Sequence, residues 1–232
     1  MKAGIIAAGL GERFRDAGIV TPKPLLVVAG KTLLERAVEA VVEGGAEEIA
    51  LIVNAESPEV ASYVRQRRWP VPVALTVKTT PSLMESFFEL APSLRESPFL
   101  LTTVDAIAAR GALPALASSG MALGPCGTLA VTSYVDDEKP LWARLGVNDE
   151  ILALGAAAAD SGWVTSGAYF FHPSVYRHVA EARRRQLGRL RDFLALLLER
   201  GESLWAHRGG DSIDVDRPQD IAAAERFLET HA

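Results

Sequence analysis

The sequence predicts an α/β protein in which helices cover both faces of a parallel central sheet. Strand-like and helix-like segments alternate through the first third of the chain, an order that is typical of parallel strands joined by helices. The strand-like segments are Ala3–Ala8, Glu47–Asn54 and Val71–Lys78, and the helical ones run from Thr32 to about Glu43 and from Ser57 to about Arg68. The chain has 232 residues and is 49% hydrophobic, which suits a single packed domain over residues 1–232.

Charge and composition narrow the class of protein. The net charge of −5 disfavours general nucleic-acid binding. No apolar run is long enough to span a bilayer, and the N-terminus lacks the layout of a secretory signal. The single cysteine, Cys126, rules out an internal disulfide and a metal site with several cysteines. We therefore expect a cytoplasmic enzyme with no membrane or nucleic-acid partner, and a homo-oligomer remains open.

The first strand leads into a loop that is suited to binding phosphate. Gly9 and Gly11 follow the apolar run directly, and glycine lets backbone N–H groups approach a ligand closely. Arg13 comes two residues later, and Lys23 lies between two prolines. A glycine turn, a guanidinium and a rigidly presented ammonium together predict a cradle for a polyphosphate.

Two common phosphate-binding motifs do not fit this loop. The dinucleotide fingerprint needs a third glycine where this chain has Phe14, and it needs an acidic residue where the next strand ends in Asn54. The Walker loop needs a glycine where this chain has Leu25. Thr32 is instead predicted to cap a helix, with Glu35 completing a capping box.

The N-terminal motifs resemble those of the nucleotidyltransferase superfamily, which includes sugar-nucleotide pyrophosphorylases, cytidylyltransferases and molybdenum-cofactor nucleotidyltransferases. The resemblance rests on A-A-G-x-G-x-R, then P-K-P-L, then G-K-x-L, which here are Ala7–Arg13, Pro22–Leu25 and Gly30–Leu33. It implies a three-layer, Rossmann-like fold whose central sheet is mixed and mostly parallel. It also implies that residues to about 120 bind the nucleotide and that residues from about 121 to 232 bind the acceptor.

The resemblance implies roles for residues on two loops. The catalytic residues are Arg13 and Lys23, which contact phosphates, and the nucleotide is held by Ala7, Ala8, Gly9 and Gly11. In the family, the loop that corresponds to Thr80 and Ser82 and the helix start after it help to bind the base and ribose. Ser82 also stands three residues before Glu85, so a capping role is expected alongside binding.

Acidic residues follow two later strand-like segments. Asp105 ends the apolar run that starts at Phe99, and ligands collect beyond the carboxyl ends of such strands. The family places a metal-binding aspartate there, although many members have glycine where this chain has Val104. Asp214 and Asp216 share one face of an extended segment. The resemblance implies that Asp216 is the second metal ligand, with Asp214 secondary, and that the metal is Mg2+.

The second part of the chain resembles the acceptor side of the family, which is built on the same sheet. Shorter strands are predicted at Thr128–Val135, Trp142–Val147 and Glu150–Leu154, with turns at 136–137 and 148–149. Gly167 precedes an aromatic-rich strand, and in the family a glycine there lets the acceptor approach the backbone. Asp220 is expected to act as an acidic residue in the first turn of the last helix.

Together these features predict a magnesium-dependent nucleotidyltransferase. It would join a nucleoside triphosphate to a phosphorylated small-molecule acceptor and release pyrophosphate. A sugar 1-phosphate is the leading acceptor, because the P-K-P-L and G-K-x-L pattern most resembles that branch of the family. The alternatives are a cytidylyltransferase for a phosphocholine-like or other small phosphate, a molybdenum-cofactor nucleotidyltransferase, and a noncatalytic nucleotide-binding protein.

Overall fold

The central sheet has seven strands within the residues that the structure, a computed structural model, describes: 1–124, 126–133 and 140–231. Six of these strands run in one direction, and β11 runs against both of its neighbours. The sheet is therefore mixed and mostly parallel, which confirms the prediction. Across the sheet the strands are β12 (Leu204–Arg208), β8 (Gly127–Thr132), β11 (Val164–Phe171), β6 (Phe99–Thr103), β1 (Lys2–Ala7), β4 (Glu48–Val53) and β5 (Val73–Val77).

Short strands pair outside the central sheet. The pairs are β2 (Val27–Val28) with β3 (Lys31–Thr32), β7 (Ala106–Ala108) with β13 (Ser212–Asp214), and β9 (Ala143–Leu145) with β10 (Ile151–Leu154). The prediction that the segments of β9 and β10 belong to the main sheet is wrong. The turn at Asp149, whose φ is +64°, pairs them with each other as a hairpin. The other predicted turn, at 136–137, lies outside the described residues.

Helices cover both faces of the sheet and form three layers with it. The strands supply side chains to both faces: in β1, Ile5 packs into one core and Ile6 into the other. The first core takes side chains from α1 (Glu12–Asp16), α2 (Leu33–Glu43), α3 (Pro58–Gln66), α6 (Ala112–Ala122) and α9 (Pro218–Thr230). The second takes them from α4 (Leu83–Glu89), α5 (Ala91–Leu94), α7 (Val179–Arg184) and α8 (Leu190–Glu199). In the described part of the chain, no helix combines the length and the apolar character needed to cross a membrane.

The start of α2 has the capping box that the sequence predicts. The Glu35 N–H donates to Thr32 Oγ1 at 3.1 Å, and the Thr32 N–H donates to the Glu35 carboxylate at 2.7 Å. These bonds satisfy two of the N–H groups that a helix start leaves without partners. The Leu33 N–H donates to the Leu26 carbonyl at 2.9 Å, which ties the start of α2 to the segment that follows Lys23.

Removal of this cap should destabilise the protein. We expect Thr32→Ala to lower the free energy of unfolding by about 1 kcal/mol, because the Glu35 N–H loses its acceptor. Urea unfolding followed by circular dichroism measures the change. Thr21→Ala, at an exposed loop position, is the matched control and should unfold like the wild type. Equal stability of all three proteins would contradict the capping argument.

Candidate active site

A cavity of about 530 Å³ lies where strands β1, β4, β5 and β6 end. These strands are mutually parallel, so their carboxyl ends meet at one edge of the sheet, where ligands bind in open α/β folds. The loop after β1 forms one wall, and residues 79–83 after β5 form another. The end of β6 and Asp216 complete the lining together with Lys23, Asn54 and Ser86.

The two loop glycines differ in what they do. Gly11 has a φ of +64°, which favours glycine, and a Cβ there would stand 3.1 Å from the Lys23 Cβ. At Gly9, a Cβ would meet no atom within 4 Å, so this position leaves space open in the cavity. Ala8 lines the cavity, whereas Ala7 is buried as the last residue of β1. Gly11 therefore sets the backbone turn, and Gly9 keeps the loop accessible.

Gly11→Ala should harm both stability and the cavity. We expect a loss of about 1 kcal/mol from the left-handed backbone, together with displacement of Lys23 and weaker nucleotide binding. Gly18→Ala is the matched control, because its φ is +81° but a Cβ there would meet nothing within 4 Å. Chemical unfolding and nucleotide titration of both variants separate the two effects. Equal loss of binding in the two variants would show that contact with Lys23 is irrelevant.

Lys23 lies between the two predicted metal ligands. Its ammonium is 2.6 Å from Asp105 Oδ2 and 2.6 Å from Asp216 Oδ1, and its side chain is only 9% exposed. A guanidinium nitrogen of Arg13 lies 3.2 Å from the other oxygen of Asp216. The structure thus brings Arg13, Lys23, Asp105 and Asp216 together at one end of the cavity. These contacts of Lys23 with carboxylates were not expected from the sequence, which pointed to phosphate.

Lys23 and Asp105 stabilise each other's charged form. Burial acts to lower the pKa of Lys23, but Asp105 and Asp216 outweigh burial, so the pKa of Lys23 is raised. Burial acts to raise the pKa of Asp105, but Lys23 outweighs it through charge and a hydrogen bond, so the pKa of Asp105 is lowered. Both groups are therefore charged at neutral pH.

Backbone pairing explains why the two carboxylates meet. β13 lies antiparallel to β7, and the Val215 N–H donates to the Asp105 carbonyl at 3.1 Å. The Asp220 carboxylate then accepts from the N–H groups of Asp216 and Arg217, at 2.9 and 2.7 Å. Asp220 therefore has the helix-start role that the sequence predicts. It also holds the backbone of Asp216 beside β6.

Asp214 and Gly167 do not line the cavity among the described residues. Asp214 pairs with Ala106 at the end of β13 and is exposed. Gly167 lies at an irregularity of β11, with a φ of +76°, and a Cβ there would stand 3.3 Å from the Ala106 Cβ. The structure therefore brings two of the three predicted acidic ligands together. The positive φ of Gly167 and its close approach to Ala106 explain why this position favours glycine. Its role towards the acceptor stays a prediction.

The wall opposite the carboxylates carries hydroxyl and amide groups. Thr80 and Ser82 both line the cavity. The Thr80 hydroxyl lies 2.5 Å from that of Ser86, and Ser82 Oγ accepts from the Glu85 N–H at 3.3 Å. Ser82 is thus a helix cap, as predicted, and it remains beside the space where a nucleotide would lie.

Asn54 links the two loops of the cavity, which the sequence did not predict. Its side chain donates to the Ala8 carbonyl at 2.8 Å, and its oxygen accepts from the Thr79 hydroxyl at 2.8 Å. The residue is 3% exposed. A polar residue at the end of a buried strand was the available signal, since a buried amide needs partners on both sides.

Asp105 and Asp216 are the residues that could hold a divalent cation here. Their carboxylates already share one cationic nitrogen, so their oxygens converge on a common point. In the described residues, no group of three or more histidine, cysteine, aspartate or glutamate side chains could hold a metal. Mg2+ suits such a site, since it is commonly bound by one or two carboxylates together with substrate phosphates and water.

A glycine loop and paired carboxylates at the carboxyl ends of four parallel strands are typical of a nucleotide-binding α/β protein. Residues 3–197 match the family model of the MobA-like NTP transferase domain. The chain therefore belongs to this family, which confirms the predicted superfamily. Asp216 lies beyond the matched stretch.

Relatives and solved structures agree with this assignment. A bifunctional IPC transferase and DIPP synthase from Rubrobacter xylanophilus is 49% identical over 72 residues, 31% of this chain and 16% of that protein. A mannose-1-phosphate guanyltransferase from Neurospora crassa is 25% identical over 194 residues, 77% of this chain and 51% of that protein. The chain thus spans at most about half of these two relatives.

A solved structure shows the same fold. It is that of a putative glucose-1-phosphate thymidylyltransferase from Bacillus anthracis, which superposes with a TM-score of 0.84. The match covers 98% of this chain and 94% of that chain, at 19% sequence identity. At this identity the likeness shows the fold alone, which is the predicted three-layer nucleotidyltransferase fold.

Proposed function

We propose that this protein joins a nucleoside triphosphate to a sugar 1-phosphate and releases pyrophosphate. The observation that carries the proposal is the convergence of Lys23, Asp105 and Asp216 beside the Gly9–Arg13 loop in one cavity. Positive groups, backbone N–H groups and a pair of carboxylates are the parts that phosphoryl-type transfer requires. Two of the similar proteins, the guanyltransferase and the thymidylyltransferase, carry a sugar 1-phosphate in their names, which supports this acceptor.

The residues of the cavity have distinct tasks in this reaction. The loop from Gly9 to Arg13 binds the phosphates of the triphosphate through its N–H groups and through the Arg13 guanidinium. The Lys23 ammonium binds a phosphate oxygen and so neutralises part of its charge. Asp105 and Asp216 would hold Mg2+, which would supply further charge neutralisation at the phosphates. The hydroxyl wall at Thr80 and Ser82 orients the base and ribose.

The reaction needs no general base. An oxygen of the acceptor phosphate, already ionised at neutral pH, attacks the α-phosphorus in line. The bond from that phosphorus to the bridging oxygen breaks, and its electron pair leaves with pyrophosphate. The protein therefore acts by positioning the reactants and by stabilising charge. Arg13, whose side chain is half exposed, would stabilise the departing pyrophosphate through its guanidinium.

Covalent catalysis by the cysteine is not part of this mechanism. Cys126 is fully buried, and burial raises the pKa of its thiol to about 12. The thiol is therefore protonated at neutral pH and inert. The cytoplasmic location that we propose rests on the composition and charge of the chain.

Exchange of labelled pyrophosphate into nucleotide tests the proposal. Because the acceptor phosphate itself attacks the α-phosphorus, exchange requires the acceptor. We expect exchange, and net release of pyrophosphate, only when Mg2+, one of five nucleoside triphosphates and glucose or mannose 1-phosphate are all present. Release with phosphocholine but with no sugar phosphate would favour the cytidylyltransferase alternative, and release with a pterin phosphate would favour the molybdenum-cofactor alternative. Nucleotide binding with neither exchange nor pyrophosphate release, for every nucleotide and every acceptor tested, would identify a noncatalytic binding protein.

A further inference from the structure

We propose that Lys23 makes the cation site selective for a cation that arrives together with a triphosphate. In the nucleotide-free protein its ammonium holds the place between Asp105 and Asp216 and excludes a free divalent cation. The inference rests on the proposed function, since the triphosphate is the substrate proposed above. It concerns the order in which the cation and the triphosphate bind and the effect of each on the affinity of the other, which the proposed reaction leaves open.

The contacts of Lys23 show the competition directly. Its ammonium bonds to Asp105 Oδ2 and Asp216 Oδ1, each at 2.6 Å, and these oxygens are the ones that converge towards a cation. A divalent cation bound there would stand next to the ammonium, and two positive charges at that separation repel strongly in a partly buried site. The Lys23 ammonium and a divalent cation therefore cannot both occupy the place between the two carboxylates at the same time.

The surroundings of Lys23 limit where its ammonium can go. The side chain is 9% exposed, and its Cβ packs against Gly11 closely enough that a methyl group there would be 3.1 Å away. The residue lies between Pro22 and Pro24 in a 3-10 turn, Lys23–Leu25, which fixes its backbone. Displacement by a free cation would leave a buried ammonium without its carboxylate partners, which is strongly unfavourable.

A bound triphosphate changes this balance. Among the described residues, the carboxylates that line the cavity belong to Glu12, Asp105 and Asp216, and Arg13 contacts Asp216 as well. Phosphate oxygens beside the glycine loop would give the ammonium new anionic partners within the same cavity. The carboxylates then become available to a cation that the phosphates also bind. Nucleotide and cation should therefore increase each other's affinity, because such coupling is reciprocal.

Binding of Mn2+ to the protein without nucleotide tests the inference. Electron paramagnetic resonance counts free Mn2+ during titration of the wild type and of Lys23→Met, which keeps the apolar stem and removes the charge. We expect Lys23→Met to bind Mn2+ about tenfold more tightly or better, a typical size for such coupling. Lys31→Met is the matched control, because Lys31 pairs with Glu39 on the surface at 2.7 Å. It should bind Mn2+ like the wild type.

The double variant Lys23→Met with Asp105→Asn should lose the gain, which would place the new binding at this site. Equal Mn2+ affinity of the wild type and Lys23→Met, or the same gain in Lys31→Met, would overturn the inference. Circular dichroism checks folding, and Lys23→Gln replaces Lys23→Met if the latter does not fold. Calorimetry with inorganic pyrophosphate tests the coupling: Mg2+ should increase pyrophosphate affinity by a larger factor in the wild type than in Lys23→Met.

The Mn2+ titration and the pyrophosphate-exchange experiment can fail independently of each other. A gain of Mn2+ affinity in Lys23→Met, together with no pyrophosphate exchange by the wild type, would end the proposed reaction but leave the selectivity of the site intact. Normal exchange by the wild type with no Mn2+ gain in the variant would leave the reaction intact and end the inference.

Discussion

Asp105→Asn and Asp216→Asn are each expected to lower Mg2+-dependent kcat/KM by about a hundredfold or more, or roughly 2.7 kcal/mol of transition-state stabilisation. Each change removes a carboxylate that would hold the cation and also leaves the Lys23 ammonium with one charged partner instead of two. Pyrophosphate release at several Mg2+ concentrations measures the loss. Excess Mg2+ should restore part of the activity, since the remaining carboxylate still binds weakly.

Two comparisons sharpen this experiment. Asp192→Asn, at a surface pair with Arg189, controls for the loss of one negative charge and should keep wild-type activity. Asp214→Asn should lose much less activity than Asp216→Asn, because Asp214 lies outside the cavity among the described residues. A folded Asp105→Asn protein with wild-type turnover would end the two-carboxylate mechanism. Equal losses at Asp214 and Asp216 would mean that the exposed residue also serves the site.

Lys23→Ala is expected to cut kcat/KM more than tenfold, on the order of 1.4 kcal/mol or more. The change removes the ammonium that neutralises phosphate, and it leaves the carboxylates of Asp105 and Asp216 facing each other. Their repulsion should lower the thermal stability of the variant, and Mg2+ should restore part of it by binding between them. Steady-state kinetics and thermal unfolding with and without Mg2+ measure the two effects.

Lys31→Ala provides the comparison for Lys23→Ala, since it removes a lysine from an exposed pair with Glu39. It should change neither turnover nor the effect of Mg2+ on stability. A folded Lys23→Ala protein with wild-type turnover would show that Lys23 takes no part in the reaction. A variant whose melting temperature does not respond to Mg2+ would instead argue against a cation between the carboxylates.

Local patterns and strand ends account for what the sequence predicted well. The run Ala3–Ala8 predicted β1, because a short apolar segment followed by glycine has few other solutions. Thr32 and Glu35 predicted their helix start, since the bonds of a capping box lie within four residues. Asp105 and Asp216 were expected to approach because each follows a strand, and the structure brings them onto one ammonium.

Contacts between segments that are distant in the sequence account for most of the structural features that the sequence analysis did not predict. The partners of Lys23 are 82 and 193 residues away, so no local pattern announces them. Asn54 joins the loops at Ala8 and Thr79, and its role emerges only when both loops are in place. β12 was not predicted, and β9 with β10 was placed on the wrong sheet. Short strands such as these are defined by their neighbours more than by their own residues.

The position of Asp216 near the end of this sequence determines when its contact with Lys23 can form during synthesis. The strands β1, β4, β5 and β6 precede it by more than a hundred residues and can emerge from the ribosome while the C-terminal segment is still being synthesised. Until that segment arrives, Lys23 has Asp105 but lacks its second partner. A nascent chain that has not yet reached Asp216, or one cut by a protease before Asp216, would therefore lack one carboxylate of the charge cluster. The complete cluster of Lys23, Asp105 and Asp216 therefore forms only after synthesis has passed Asp216, when the strands that border the cavity have already been made.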